Sequence, residues 1–291
     1  MFEKIKGNRF FEMFMKRPDI DKAYAMVPPT DSWYDTITTV HHSLAQIQKL
    51  PHEILEITSH DGLKLKAIYY PGEGNQTAIW IHGYTSHAER ESAFPGLFYL
   101  SLGYGVLIPY QRAHGISEGK YIAFGALEYR DMLLWVDKIN QIHPNGSIVI
   151  HGLSMGAGIA LDLATQDMKN VKCLIVDAPS VSIEGFFRNV TREVFKKNQT
   201  RICEYAIARF EKEFSVDMMA FDRVANMANC KYPILLSVGS NEGMDEILLK
   251  IQQKNPKETK VLILPGCNHG NGMYKQTEMY QSAIREFIEM R

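Results

Sequence analysis

The chain has 291 residues, 45% of them hydrophobic and 22% charged, a globular composition that argues against disorder and against a fibrous repeat. With 32 Lys and Arg against 33 Asp and Glu, the formal net charge is -1, so no global field draws nucleic acid or an anionic membrane to it. Four cysteines, Cys173, Cys203, Cys230 and Cys267, lie far apart and without CxxC spacing; in a chain of this size they read as reduced thiols of a cytoplasmic protein rather than a disulfide framework.

Residues 1 to about 50 read as a helical extension, broken at Val27-Pro28-Pro29-Thr30, where proline removes donors and disfavours helix just before it. Its first residues mix charges with short aromatic runs, which fits neither a signal peptide nor a membrane span. Phe10, Phe11, Phe14 and Met15 form an apolar stripe. Docking onto the protein's own core is the first reading of such a stripe, and lying on a membrane surface is the second.

Period-two alternation over Glu53 to Thr58 and Leu63 to Tyr70, separated by His60-Asp61-Gly62, predicts a β-hairpin. Short, continuously apolar runs follow at Thr77 to Ile81, Gly105 to Ile108, Ser147 to His151, Lys172 to Val176, Ile234 to Val238 and Val261 to Leu264. Runs of this kind suit strands buried on both faces of a parallel sheet. The intervening segments, such as Phe124 to Ile142, carry helical spacing. The order predicts an α/β fold with about eight mostly parallel strands flanked by helices, built from residues 51–180 and 232–291.

The connection over residues 181–231 is too long for a structureless loop. It reads as two helices within Gly185 to Phe214, with Phe186, Phe187, Val190, Val194 and Phe195 on one face, and a short helix near Asp217 to Met227. We expect a helical cap over the C-terminal edge of the sheet, where open α/β sheets bind ligands.

Three loops at that edge carry the chemistry. The strand at Ile148 runs into Gly152-Leu153-Ser154-Met155-Gly156 and then a small-residue helix, the strand-turn-helix setting that gives G-x-S-x-G its meaning. A serine held on such a turn needs a base to take its proton. His269, in the glycine-rich loop Pro265 to Gly272 after the last strand, is the candidate; His41, His42, His52, His60, His87 and His143 are expected away from that edge. The acid that orients the imidazole is expected at Glu242, with Asp245 and then Asp177 as alternatives. Backbone N–H groups of Tyr84, in His82-Gly83-Tyr84, and of Met155 are expected to converge on a developing oxyanion. Phe186 and Phe187 are candidates to shape an apolar acyl pocket.

On the segments His82 to Ser86, Arg112 to Gly119, Gly152 to Gly156 and Asn268-His269-Gly270, the chain from about residue 53 to its C-terminus resembles the alpha/beta-hydrolase superfamily. The run Ser117 to Ile122 followed by Phe124-Gly125 is similar to bacterial hydrolases related to prolyl-oligopeptidase-like and esterase enzymes. The resemblance implies the alpha/beta-hydrolase fold with residues in the order nucleophile, acid, base. Two positions depart from it: Tyr110 stands where relatives carry an aspartate, and Glu242 where they carry the triad aspartate. The implied activity is cleavage of a small-molecule carboxylic ester through an acyl-enzyme on Ser154, with no metal and no organic cofactor. A peptidase or amidase on the same triad, and a silent binding protein that kept the fold, are the alternatives. Oligomeric state has no signature in the sequence.

Overall fold

Burial on both faces is what keeps the apolar runs extended, and in the computed structural model, which describes residues 2–19, 33–195, 197–255 and 257–291, each of those runs is a strand. They are β1 (Glu53–Thr58), β2 (Lys64–Tyr70), β3 (Gln76–Ile81), β4 (Gly105–Pro109), β5 (Ser147–Leu153), β6 (Val171–Asp177), β7 (Ile234–Gly239) and β8 (Thr259–Leu264). Their spatial order is β1-β2-β4-β3-β5-β6-β7-β8. Only β2 runs against its neighbours in this sheet; every other pairing is parallel. This is the alpha/beta-hydrolase fold.

The chain leaves β3 for β4 on one side and then returns to place β5 on the other. That reversal opens a crevice between the C-terminal ends of β3 and β5, the position where open α/β sheets bind ligands.

Alternation along the strands divides the core in two. Ile79, Ile81, Ile148 and Ile150 point into one layer, and Ala78, Trp80, Val149 and Leu153 into the other. The first layer is covered by α1 (Phe2–Met15), and further along by α4 (Glu128–Ile142), α5 (Met155–Leu163), α6 (Ile183–Val194), α7 (Gln199–Phe214), α8 (Arg223–Asn226) and α9 (Asp245–Lys254). The second is covered by α2 (Ile37–Ile47), α3 (Ala88–Ser101), α10 (Gly272–Lys275) and α11 (Thr277–Glu289).

The helix boundaries and the exposed faces refine the expectations. The helix expected from Phe124 starts at Glu128, because Phe124 and Gly125 both have positive φ, 50° and 104°. The Glu128 carboxylate accepts from the backbone N–H of Ala123 and of Gly125, each at 2.8 Å, and so closes the turn before the helix. The aromatic stripe of α1 packs inward, with Phe10, Phe11 and Met15 buried and Phe10 5.5 Å from the Phe187 ring. Three residues of the stripe thus dock onto the protein's own core, and Phe14 is half-buried. Val194, expected on the buried face of α6, is exposed at the end of that helix. The break expected at Val27 to Thr30 lies outside the described residues.

Candidate active site

The turn at Ser154 is forced by two close approaches. A Cβ at Gly152 would sit 2.2 Å from the Gly156 carbonyl oxygen, and one at Gly156 would sit 1.9 Å from that of Ile81. Only glycine allows β5 to turn this sharply into α5 while lying against the end of β3. Between them Ser154 adopts φ 57° and ψ -112°, a conformation that costs a non-glycine residue about 1–3 kcal/mol. The turn holds its hydroxyl above the sheet edge, at the positive end of the α5 dipole.

Ser154 Oγ lies 2.9 Å from Nε2 of His269, and Nδ1 of the same ring lies 2.6 Å from Glu242 Oε2. A carboxylate can only accept, so Nδ1 carries the proton and Nε2 is left to accept from the serine hydroxyl. Glu242 is held on its other oxygen by the Gly239 N–H at 2.9 Å. Its side chain is only 7% exposed, whereas that of His269 is 56% exposed. The hydrogen bond to Glu242 holds the imidazole protonated above its usual range, with Asp177 and Glu91 adding to the effect and burial opposing it.

The other two candidate acids stand elsewhere. Asp177, at the end of β6, accepts from the Ser237 hydroxyl and from the Tyr280 hydroxyl, each at 2.9 Å. Burial pushes its carboxyl up to about 6. Both oxygens are taken by neutral donors, so it acts on His269 only through space. Asp245 opens α9, in the first turn, where an acid complements the helix dipole.

The loop after β3 is fixed by a chain of donors. Gln111 donates its backbone N–H to Nε2 of His82 at 3.3 Å, which puts the ring proton on Nδ1, and Nδ1 donates to the Gly83 carbonyl at 2.9 Å. Burial pushes His82 well below the usual imidazole range, so this neutral form persists. In a planar trans peptide the C=O and the following N–H point in opposite directions. Holding the Gly83 carbonyl toward His82 therefore turns the Tyr84 N–H the other way. The Met155 N–H lies in the first turn of α5, where no preceding helical carbonyl accepts it. His87, expected away from this edge, lies at the N-cap of α3 just beyond the same loop and acts electrostatically on His82.

Of the two candidate pocket aromatics, Phe187 is 0% exposed and packs into the core against Phe10 and Phe210. This corrects the expectation that both line a pocket. Phe186 is half-buried, stacks on Phe124 at 4.2 Å and meets the Tyr84 ring edge-on at 5.5 Å. The Tyr84 hydroxyl donates to the Phe14 carbonyl, which ties α1 to this wall.

Two contributors escaped the sequence reading. Trp33 Nε1 donates to the His269 carbonyl at 3.1 Å, so the segment before α2 grips the loop that carries His269. Glu91, on α3, accepts from the Gly83 N–H at 3.0 Å and lies within electrostatic reach of His269. No group of His, Cys, Asp and Glu side chains suited to a metal ion occurs among the described residues.

A serine, a histidine and an acid joined above the C-terminal edge of such a sheet define the alpha/beta-hydrolase class of enzymes. The chain belongs to one of its families: the model described as serine aminopeptidase, S33, matches residues 72–218. A curated relative, an uncharacterized protein of Bacillus subtilis, is 35% identical over 134 residues, 45% of this chain and 41% of that one; the match therefore spans less than half of the relative's length. Among solved structures, an esterase of Pyrococcus furiosus superposes with a TM-score of 0.68 at 24% identity, over 84% of this chain and 93% of the esterase. An alpha/beta hydrolase of Vibrio vulnificus gives 0.63 at 21% identity, over 96% and 92%. Est1E of Butyrivibrio proteoclasticus, solved with ferulic acid bound, gives 0.62 at 19% identity, over 81% and 98%. At these identities the likeness to solved structures is one of fold.

Proposed function

We propose that this enzyme cleaves a small-molecule carboxylic ester through an acyl-enzyme on Ser154, with His269 as general base and Glu242 as the acid that orients it. The observation that carries the reading is the unbroken hydrogen-bonded chain from Ser154 Oγ through His269 to Glu242, at 2.9 and 2.6 Å. Oγ attacks the ester carbonyl as its proton passes to Nε2, and the carbonyl π pair moves onto oxygen, where the N–H groups of Tyr84 and Met155 stabilise it. Collapse expels the alcohol, which takes the proton back from the imidazolium. Water then attacks the acyl-enzyme by the same route and releases the acid.

The same triad serves amide cleavage, and the serine aminopeptidase description of the family favours keeping that as the second reading. Esters are preferred because one structural neighbour is an esterase of Pyrococcus furiosus and another, Est1E, holds ferulic acid, a carboxylic acid of the kind that ester cleavage releases. We assign residues 51–180 and 232–291 to the hydrolase core and 181–231 to a cap, with Phe186 forming part of an apolar wall beside the oxyanion loop. The four cysteines are free thiols, three of them buried, which supports a reducing compartment such as the cytoplasm. No helix of the described residues is long and apolar enough to cross a membrane.

A panel of p-nitrophenyl esters of increasing acyl length, run beside aminoacyl amides and a Ser154→Ala control, tests the proposal. Ester turnover that exceeds amide turnover and vanishes in Ser154→Ala is expected. Comparable amide efficiency would favour the peptidase reading, and wild-type ester turnover in Ser154→Ala would overturn the assignment of the nucleophile.

A further inference from the structure

A half-buried acid on α3, outside the proposed triad, has an arrangement that structural capping alone does not explain. Glu91 Oε1 accepts from Trp80 Nε1 at 3.2 Å and from the Gly83 N–H at 3.0 Å, while Oε2 lies 3.1 Å from that same nitrogen. The Ser86 hydroxyl supplies a further donor. Gly83 in turn abuts the nucleophile: a Cβ built on it would stand 3.5 Å from Ser154 Cβ and 3.2 Å from Glu91 Oε2. The carboxylate therefore lies directly behind the reaction centre, held by neutral N–H and O–H groups. The charged group that acts on it from outside its own shell is His269.

We infer that Glu91 is a second acid of the site, a positioning residue that fixes the Gly83 peptide and stabilises the His269 imidazolium formed during acyl transfer. The inference rests on the Ser154–His269 reading given above. Its physical basis is differential. While the imidazole is neutral, the carboxylate meets only neutral donors among the described residues, and its desolvation is costly. When the proton leaves Ser154 for His269, a cation appears that Glu242 favours by direct hydrogen bond and Asp177 and Glu91 favour through space. An attraction that exists only after proton transfer lowers the barrier without tightening substrate binding. Burial pushes Glu91 up to about 7, with Ser86, Gly83, Trp80 and His269 pulling it back.

Glu91→Gln tests this, because an amide oxygen can still accept from Gly83 while the charge is gone. In protein with an unchanged melting profile, kcat should fall roughly 3- to 10-fold with KM unchanged, and the acid limb of kcat/KM should move to lower pH by about half a unit or more. Glu91→Asp, which restores the charge, should recover most of that shift. NMR titration of the His269 ring in a Ser154→Ala background should show the same downward displacement when Glu91→Gln is added, independently of turnover. A merely structural cap would leave both the limb and the ring titration in place. Unchanged titration overturns the inference, as does a rise in kcat, which would mean that repulsion of the oxyanion outweighs attraction to the imidazolium. Should Glu91→Gln not fold, Trp80→Phe removes one donor that keeps the carboxylate ionised and should move the limb in the same direction; an unmoved limb there would overturn the inference too. Ester turnover surviving in Ser154→Ala would instead sink the underlying triad reading, so the two failures are distinguishable.

Discussion

Glu242 and Asp177 both end their strands' excursions near His269, and the destination of their oxygens separates their roles. Glu242 spends Oε2 on Nδ1 of the imidazole and Oε1 on a backbone N–H; Asp177 spends both oxygens on hydroxyls. Glu242→Gln should therefore lower kcat by roughly a hundred- to ten-thousand-fold, since it favours the wrong tautomer as well as removing charge. Asp177→Asn should cost far less in turnover. Steady-state kinetics on one activated ester compares the two, and equal losses would mean that Glu242 is not the orienting acid. The pH dependence follows from the same bond. His269 must be neutral to accept a proton, and Glu242 keeps it protonated above the ordinary value of 6.5. The acid limb of kcat/KM should thus have its midpoint above 6.5 in the wild type and move down in Glu242→Gln. Ser154 and His269 stand out in the sequence as candidates because a strained turn and a glycine-rich loop announce themselves locally, whereas sequence alone leaves the acid among Glu242, Asp245 and Asp177. Glu91 does not stand out. It follows Glu89 and Arg90 in the first turn of α3, where an acid ordinarily only complements the helix dipole, and only the packing of α3 against β3 brings it under Gly83.

At the scale of elements, the loop that carries His269 is positioned from two directions. β8 delivers Pro265 to Asn271 to the sheet edge, and the segment preceding α2 closes over it, with Trp33 donating to the His269 carbonyl at 3.1 Å and meeting the Tyr274 ring edge-on at 5.5 Å. The matched family region, residues 72–218, contains neither β8 nor Trp33, so this clasp belongs to parts of the chain that the family match does not reach. Trp33→Phe keeps the ring contact and deletes the donor. A lost hydrogen bond to a loop carbonyl is worth about 0.5–1.5 kcal/mol, and misplacement of the base should appear mainly as a fall in kcat of roughly 2- to 10-fold. Kinetics with the melting temperature monitored in parallel tests it; a loss confined to stability would show that the indole only packs. Such a contact spans more than two hundred residues and leaves no local pattern, which is why residues 1 to about 50 could be read as helical without any indication of what they hold. The α6 face shows the complementary limit. Helical spacing grouped Phe186 with Phe187, yet spacing cannot tell a residue at the rim of a buried stripe from one at its centre, and it is Phe187 that enters the core.

Across the whole molecule, the strands were readable because burial on two faces demands continuous apolar runs, and the alternation of Ile79 and Ile81 against Ala78 and Trp80 feeds two separate core layers. What joins the connection between β6 and β7 to that frame is a charged strut that no periodicity reveals. Arg223, on α8 and fully buried, donates from Nη2 to Asp162 Oδ2 at 2.8 Å and from Nε to both Asp162 oxygens at 3.0 Å. It also donates to the carbonyls of Ser180 at 2.8 Å and Phe124 at 3.2 Å. Asp162 lies on α5, the helix that begins immediately after Ser154, and burial raises its carboxyl above the usual range against the pull of Arg223. Arg223→Met should therefore cost about 3–5 kcal/mol, because it strands a buried carboxylate rather than because the pair itself is strongly stabilising. Arg223→Lys should recover little, since one ammonium cannot replace a planar fork shared among a carboxylate and two carbonyls. Urea unfolding of Arg223→Met, Asp162→Leu and the double variant separates the contributions. If the stranded charge dominates, the double variant is more stable than Arg223→Met alone; a double variant no more stable than the single would place the loss in the unsatisfied Ser180 and Phe124 carbonyls instead.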